Sequence, residues 1–436
     1  MNIRLYHAII LTMEPNRPIF EGEIWIKNEK IVYVGETTTL DRFRKESNDI
    51  YMIWDKEIDC KGNLLMPGFK DAHTHSGMTF LRSYADDIPL SRWLNEKIFP
   101  MEKKLTKEDI SCFVKLAILE YLTSGITSIF DMYLMPDMTA CSCMEMGMRC
   151  VLVSGCNNFT SSVEAMAEEY QKWNHTSPLI TYQLGFHAEY TCDKPLLIQL
   201  STLAHELCAP VYTHMSETAL EVFECKKKYG MTPPVFLNSL GMFDYGGGGY
   251  HCVYMSEDDK RVFLKRRMHV ITNPGSNTKL ASGIAPIADF IKQDISVAIG
   301  TDGAASNNCL DMFREMFLVT GLAKLREQDA ASVDAMEVLK MATVNGAKAM
   351  KLNNADVLAE GKLADIIMID LQQPNMQPIH CIEKNLVYSG SKQNVKMTMV
   401  GGKILYMDGI FYTDMSAIDI YSETERRIRR LKEQDV

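Results

Sequence analysis

Apolar residues recur with two different rhythms along the chain. Near the N-terminus they come in short β-rich runs, residues 9–12, 23–27 and 30–34, with Asn28-Glu29 as a hairpin turn between the last two. The same rhythm returns from about Leu363. Residues 365–370 and 395–400 read as strands, and Gly401-Gly402 turns the chain into a further strand at 403–406. Beyond Ser416 the pattern becomes that of a charged, solvated helix reaching Gln434.

Between these flanks, strand patterns alternate with helical ones. The strands fall at residues 63–72, 126–130, 150–154, 180–185, 211–213, 250–253, 269–272 and 296–300, with helices such as 107–122 and 196–207 between them. Eight such units in one run predict an α/β fold, a (β/α)8 barrel over residues 57–362. The flanks, 1–56 and 363–436, are then expected to pair into a small β-sandwich carrying the C-terminal helix. The run Gly246 to Gly249 sits awkwardly at the start of strand six, because glycine is a poor strand former.

Composition narrows the function classes. The 436 residues carry a formal charge of −10, which argues against a nucleic-acid partner and leaves a small-molecule ligand open. No stretch approaches the roughly 18 apolar residues of a membrane span, and no signal peptide is read at the N-terminus. With 12 cysteines, this gives the expectation of a cytoplasmic protein with reduced thiols. Cys141 and Cys143 lack a second pair at metal-finger spacing, and the 29 methionines read as core filler. A homo-oligomer is compatible with all of this and required by none of it.

A barrel places its chemistry at the C-terminal ends of its strands. His73 and His75 follow strand one, His214 ends strand five with Glu217 three residues on, His251 lies on strand six, and Asp302 closes strand eight. The i, i+2 spacing of His73 and His75 puts both imidazoles on one strand face, where they suit a borderline-soft divalent metal. A packed structural pair is the alternative for that motif taken alone. For Glu217 the alternative is a carboxylate at a helix N-terminus. His7, His175, His205, His269 and His380 lack such placement and read as surface or packing residues.

The run Met66-Pro67-Gly68-Phe69-Lys70-Asp71-Ala72-His73-Thr74-His75 resembles the first-strand signature of the amidohydrolase superfamily. The segments 78–82, 85–90 with Trp93-Leu94, 277–286 and 300–308 are similar to the methylthioadenosine/S-adenosylhomocysteine deaminase family. The resemblance spans nearly the whole chain. It implies that His73, His75, His214 and Asp302 hold one metal ion per chain, usually zinc. Relatives with two metals carry a lysine at the end of strand four. Here that strand ends Leu184-Gly185-Phe186-His187, which favours a mononuclear site. The implied roles are Asp302 as proton shuttle, Glu217 as the acid for a ring nitrogen, and His251 as the group orienting the attacking water. Glu102 would meet the ribose hydroxyls, His187 the purine or ribose, and Trp93 would wall the pocket.

The sequence departs from that family in two places. Members that accept S-adenosylhomocysteine carry arginines after strand three, whereas residues 153–162 contain no arginine or lysine. Strand four continues into Ala188 and Glu189, and a glutamate facing the pocket would repel an anionic substituent. The expected activity is therefore zinc-dependent hydrolytic deamination of methylthioadenosine, adenosine or 5′-deoxyadenosine, with S-adenosylhomocysteine disfavoured. A guanine deaminase, or a triazine or other aminoheterocycle hydrolase, is the competing enzyme reading. A scaffold without catalysis is the reading from another class, and the intact ligand set argues against it.

Overall fold

A computed structural model describes residues 1–37, 53–88 and 92–433; Pro89, Leu90 and Gln434 of the motifs above lie outside them. Along the chain the strands are β1 (Asn2–Ile10), β2 (Phe20–Lys27), β3 (Lys30–Gly35), β4 (Lys56–Asp59) and β5 (Leu64–Pro67). Eight more follow: β6 (Phe69–Thr74), β7 (Ile126–Asp131), β8 (Arg149–Val153), β9 (Ile180–Ala188), β10 (Val211–Met215), β11 (Gly247–His251), β12 (His269–Thr272) and β13 (Ser296–Ile299). The last four are β14 (Ile366–Ile369), β15 (Val395–Val400), β16 (Lys403–Met407) and β17 (Ile410–Phe411).

The flanks, joined by β5 and most of β4 from inside the segment 57–362 expected for the barrel, build one nine-stranded sheet in the order β17-β16-β15-β14-β5-β1-β2-β3, with β4 paired to β1. Its own core includes Ile3, Leu5, Ile24, Ile26, Met397 and Met399, all fully buried. β1 begins seven residues before the expected strand at residue 9, because its alternation is interrupted at His7. That residue takes a φ of 51°, and the pairing register with β2 slips between Leu5 and Ala8.

β6 to β13 form an eight-stranded parallel sheet that curls into a nearly closed barrel. The expected strand over 63–72 is divided between the two sheets at Gly68. A β-carbon there would fall 2.1 Å from the Thr127 side chain, so only glycine lets the chain step from β5 into β6. Side chains help to close the seam between β13 and β6. The Asp71 carboxylate accepts bonds from the Thr301 amide (2.8 Å) and hydroxyl (2.6 Å), and the Asp302 amide donates to the His73 carbonyl (2.9 Å).

Strand six contains its glycines instead of following them. A β-carbon on Gly247 would lie 1.9 Å from the Val211 carbonyl oxygen, and one on Gly248 2.9 Å from the Tyr212 ring. Bare backbone here lets β10 approach and leaves the barrel interior to large rings. Tyr212 and Tyr250 fill it with Phe130, Val151, Val153 and Ile271.

A buried ion pair joins barrel and flank sheet. Arg149 on β8 donates to both oxygens of Asp365, at 2.7 and 3.0 Å, and the Gly401 amide donates to the same carboxylate. The C-terminal helix Ala417–Glu433 packs on helix Lys107–Thr123, with Arg427 bonded to Asp109 at 2.9 Å. No helix among the described residues is long and apolar enough to cross a membrane.

Candidate metal centre and active site

Five side chains from four strand ends converge at the barrel mouth. The Nε2 atoms of His73, His75 and His251 lie 3.1, 3.4 and 3.9 Å from Asp302 Oδ1. The donor atoms of His73, His214, His251 and Asp302 all fall within 4.8 Å of one another. The His75 ring stacks on that of His214 at 5.5 Å. Asp302 and His251 adopt φ values of 64° and 69°. The left-handed region costs a non-glycine residue about 1–2 kcal/mol, and two such residues side by side in one site mark a backbone bent to aim side chains.

Hydrogen bonds fix which atom each group presents. The Nδ1 of His75 donates to the Met132 carbonyl, that of His214 to the His187 carbonyl at 2.7 Å, and that of His251 to Asn277 Oδ1 at 2.7 Å. Each acceptor can only accept, so Nδ1 carries a proton in all three rings, and a ring that is neutral turns the lone pair of Nε2 to the cluster. Both ring nitrogens of His73 are buried without a hydrogen bond among the described residues, although Nε2 lies 3.1 Å from Asp302 Oδ1. On Asp302 the hydroxyls of Ser276 (2.6 Å) and Ser306 (2.7 Å) occupy Oδ2, which leaves Oδ1 to the imidazoles.

Electrostatics divide the four rings. Burial would lower His75 and His251, but Asp302 for His75, and Glu217 with Asp302 for His251, hold those two above the usual imidazole value. Burial pulls His73 down to about 3 and His214 well below the usual imidazole value. Burial would raise Asp302, but His251, His73 and His75 hold it well below the usual carboxylate range. The neutral imidazoles of His73 and His214 and an ionised carboxylate, with a buried nitrogen left unpartnered, fit a divalent transition metal.

Glu217 stands at the rim of this cluster. Ser282 donates to its Oε1 at 2.8 Å, and its Oε2 lies 3.9 Å from His251 Nε2. It precedes helix Ala219–Tyr229, whose N-cap is Thr218, so its carboxylate does not cap that helix. Ser276, Ser282, Ser306, Asn277 and Glu221 support the site and escape a search for chemistry-bearing residues. For Glu221 the pattern Thr218-x-x-Glu221 is a visible signal, that of a capping box.

The residues expected to touch substrate are more scattered. Glu102 is half-buried beside the Tyr133 hydroxyl and His75, and burial raises its carboxyl to about 7 against the pull of those two. The His187 ring lies 4.9 Å from that of His214, with burial taking it down to about 4. Trp93 opens the π-helical turn Trp93–Ile98 and is buried in the main apolar core. Glu189 does not serve as a pocket charge. It is buried against helix Ala219–Tyr229, where its neighbours are Cys225 and Lys228.

Residues 64–405 match the amidohydrolase family. Over 414 residues the chain is 38% identical to a 5-methylthioadenosine/S-adenosylhomocysteine deaminase of Caldicellulosiruptor saccharolyticus, covering 95% of each protein. An adenosine deaminase from Xanthomonas campestris with bound zinc superposes with a TM-score of 0.91 at 30% identity, over 99% of this chain and 98% of that one. An atrazine chlorohydrolase from Arthrobacter aurescens, complexed with zinc, gives 0.87 at 20% identity over 98% and 100%, a likeness of fold alone.

Proposed function

We propose that this chain, which belongs to the amidohydrolase family, deaminates an adenosine-type nucleoside, preferring a neutral 5′ group. It is a hydrolase of carbon–nitrogen bonds. The observation that carries the reading is the cluster of imidazoles around Asp302 Oδ1, with Glu217 facing it across His251. His73, His75, His214 and Asp302 would hold one zinc-type ion, with His251 beside it and outside the ligand set. When bound, such an ion supplies Lewis acidity that brings the pKa of water from about 16 toward 7.

The chain's own groups then divide the proton work. Asp302 presents Oδ1 to the attacking water, takes a proton and returns it to the departing ammonia. Glu217, steadied by Ser282, protonates the ring nitrogen beside the attacked carbon. Over the cycle the water's oxygen goes to the ring carbon. One of its protons reaches the ring nitrogen by way of Glu217, and the other leaves with ammonia by way of Asp302. His251 Nε2, 3.9 Å from both carboxylates, orients the water and steadies the charge that develops on its oxygen.

Support for a nucleoside comes from Glu102, since a carboxylate near the cluster suits a vicinal diol. Support for a neutral 5′ group comes from residues 153–162, which carry no arginine or lysine, and from cations elsewhere that already have carboxylate partners. Arg82 is paired with Glu120, Arg92 with Glu96, and Lys279 with Asp86. The test follows ammonia release from methylthioadenosine, adenosine, 5′-deoxyadenosine, S-adenosylhomocysteine and guanine. Turnover of at least one nucleoside above guanine is expected. Turnover of guanine alone, or of none, overturns the proposal.

A further inference from the structure

We infer that Glu221 is a positioning residue, which holds the turn after β10 so that Glu217 faces the cluster. The inference rests on the catalytic reading of Glu217. In an ordinary capping box the side chain at this helix position returns to the amide of the N-cap residue itself. Here Thr218 caps the amide of Glu221 at 3.2 Å, but the Glu221 carboxylate reaches past Thr218. Its two oxygens accept bonds from the amides of Ser216 (2.6 Å) and Glu217 (2.8 Å), the two residues before the cap.

Those amides belong to a strained turn. Ser216 takes a φ of 52°, which swings the chain out of β10 so that the Glu217 side chain can come back toward the centre. Such a conformation persists where its surroundings over-determine it. Two bonds from one buried carboxylate secure the backbone, and the Ser282 hydroxyl secures the far end of the side chain. Burial raises the Glu221 carboxyl to about 7, with Glu217 and Glu189 adding to the rise and the two amide bonds opposing it. No cation is hydrogen-bonded to this carboxylate among the described residues, so the amides are its compensation. A carboxylate kept there despite that cost serves the turn it holds.

The experiment compares Glu221→Gln, Glu217→Gln and the double variant in the metal-loaded enzyme. Glu221→Gln keeps the shape of the side chain but sets a carboxamide NH2, a donor, against one of the two backbone N–H groups. It is expected to lower kcat about 10- to 100-fold, the scale set by small misplacements of a reacting group, while KM and metal content hold. In the Glu217→Gln background the same change should cost nothing further, because there is no acid left to position. Hydrogen exchange should accelerate at the Ser216 and Glu217 amides. Glu221→Asp, which keeps the charge but is too short to reach both amides, should behave alike if the glutamine variant folds poorly. Losses that multiply in the double variant, or unchanged exchange at the two amides, overturn the inference. A crippled Glu217→Gln enzyme beside an unaffected Glu221→Gln enzyme overturns it alone. A fully active Glu217→Gln enzyme overturns the catalytic reading, and this inference with it.

Discussion

The Tyr250 ring lies flat against His73, with centroids 3.6 Å apart and planes inclined by 20°. It forms the floor on which that imidazole rests. The glycines before it on β11 explain how so large a ring fits inside the barrel, because they yield the space their side chains would take. The Tyr250 hydroxyl is buried and has no hydrogen-bond partner among the described residues.

Removing that hydroxyl should therefore cost nothing. Leaving a buried polar group unsatisfied costs about 1–3 kcal/mol, so Tyr250→Phe is expected to melt at the same temperature or higher. Tyr250→Ala should lose about 3–5 kcal/mol, as truncated aromatic core residues do, and should also weaken metal binding. Thermal melts and metal titrations of the two variants check this. A lower melting temperature for Tyr250→Phe would mean that the oxygen has a partner after all.

Metal analysis of the purified protein should return about one zinc-like ion per chain. The informative pair is His75→Ala and His251→Ala. The His75 ring is steered by a main-chain carbonyl, as is that of His214, whereas the His251 ring is steered by an amide side chain and stands between two carboxylates. His75→Ala should lose most of the metal, and His251→Ala should keep it while losing turnover. The reverse pattern would move His251 into the ligand set and His75 out of it.

Glu217→Gln should retain fold and metal and lose about 10²-fold or more in kcat, the lower range for a general acid. Steady-state kinetics with metal content measured on the same sample decides it. An active enzyme would show that another group protonates the ring.

The clustered histidines and Asp302 were legible in the sequence because strand ends in a barrel confine chemistry to a few positions. His73, His75, His214, His251 and Asp302 all stand at such ends and all meet. Glu189 stands two residues after His187 yet packs against a helix. Its direction is set by the short helix Glu189–Thr191 and not by strand alternation. The serines that hold Asp302 and Glu217 were illegible for a different reason. Ser276, on the short helix Pro274–Lys279, and Ser282 and Ser306, in the segments after β12 and β13, are brought to their carboxylates only by the closed barrel.

The Arg149–Asp365 pair should govern acid stability. Burial would raise Asp365, but Arg149, then Lys70, outweigh it and hold its carboxyl below the ordinary value of 3.8. A carboxyl lower in the folded state than in the unfolded chain, where it titrates near about 3.9, stabilises above that pH. The contribution is lost as pH falls through the folded value. Asp365→Asn leaves a buried guanidinium unpaired, a change that costs about 3–5 kcal/mol. The gap in melting temperature between wild type and Asp365→Asn should be wide at neutral pH, begin to shrink below about pH 4 and close as pH falls through the folded value. A gap independent of pH would mean that this carboxyl does not carry the effect.

Substrate preference follows from which charges the pocket lacks. A carboxylate-bearing 5′ group needs cations to receive it, and residues 153–162 supply none. Asn158 in that stretch is occupied, its Oδ1 accepting from the Asp193 amide at 3.1 Å. Each charge-assisted bond contributes about 1.5–3 kcal/mol, so two missing bonds amount to about 10²–10⁴-fold. Glu189 adds no repulsion, since its carboxylate lies against Cys225 and Lys228, and the expected gap rests on the missing cations alone. A neutral 5′ group loses nothing from the same change. Under one buffer, kcat/KM should therefore be higher for methylthioadenosine, adenosine or 5′-deoxyadenosine than for S-adenosylhomocysteine. Introducing an arginine into 157–160, for example Phe159→Arg at a side chain that is 87% exposed, should narrow the gap by raising the charged substrate alone. Equal or better turnover of S-adenosylhomocysteine by the wild type would require Arg82 or Arg92 to leave its glutamate and bind substrate. In that case Arg82→Met or Arg92→Met would abolish the advantage.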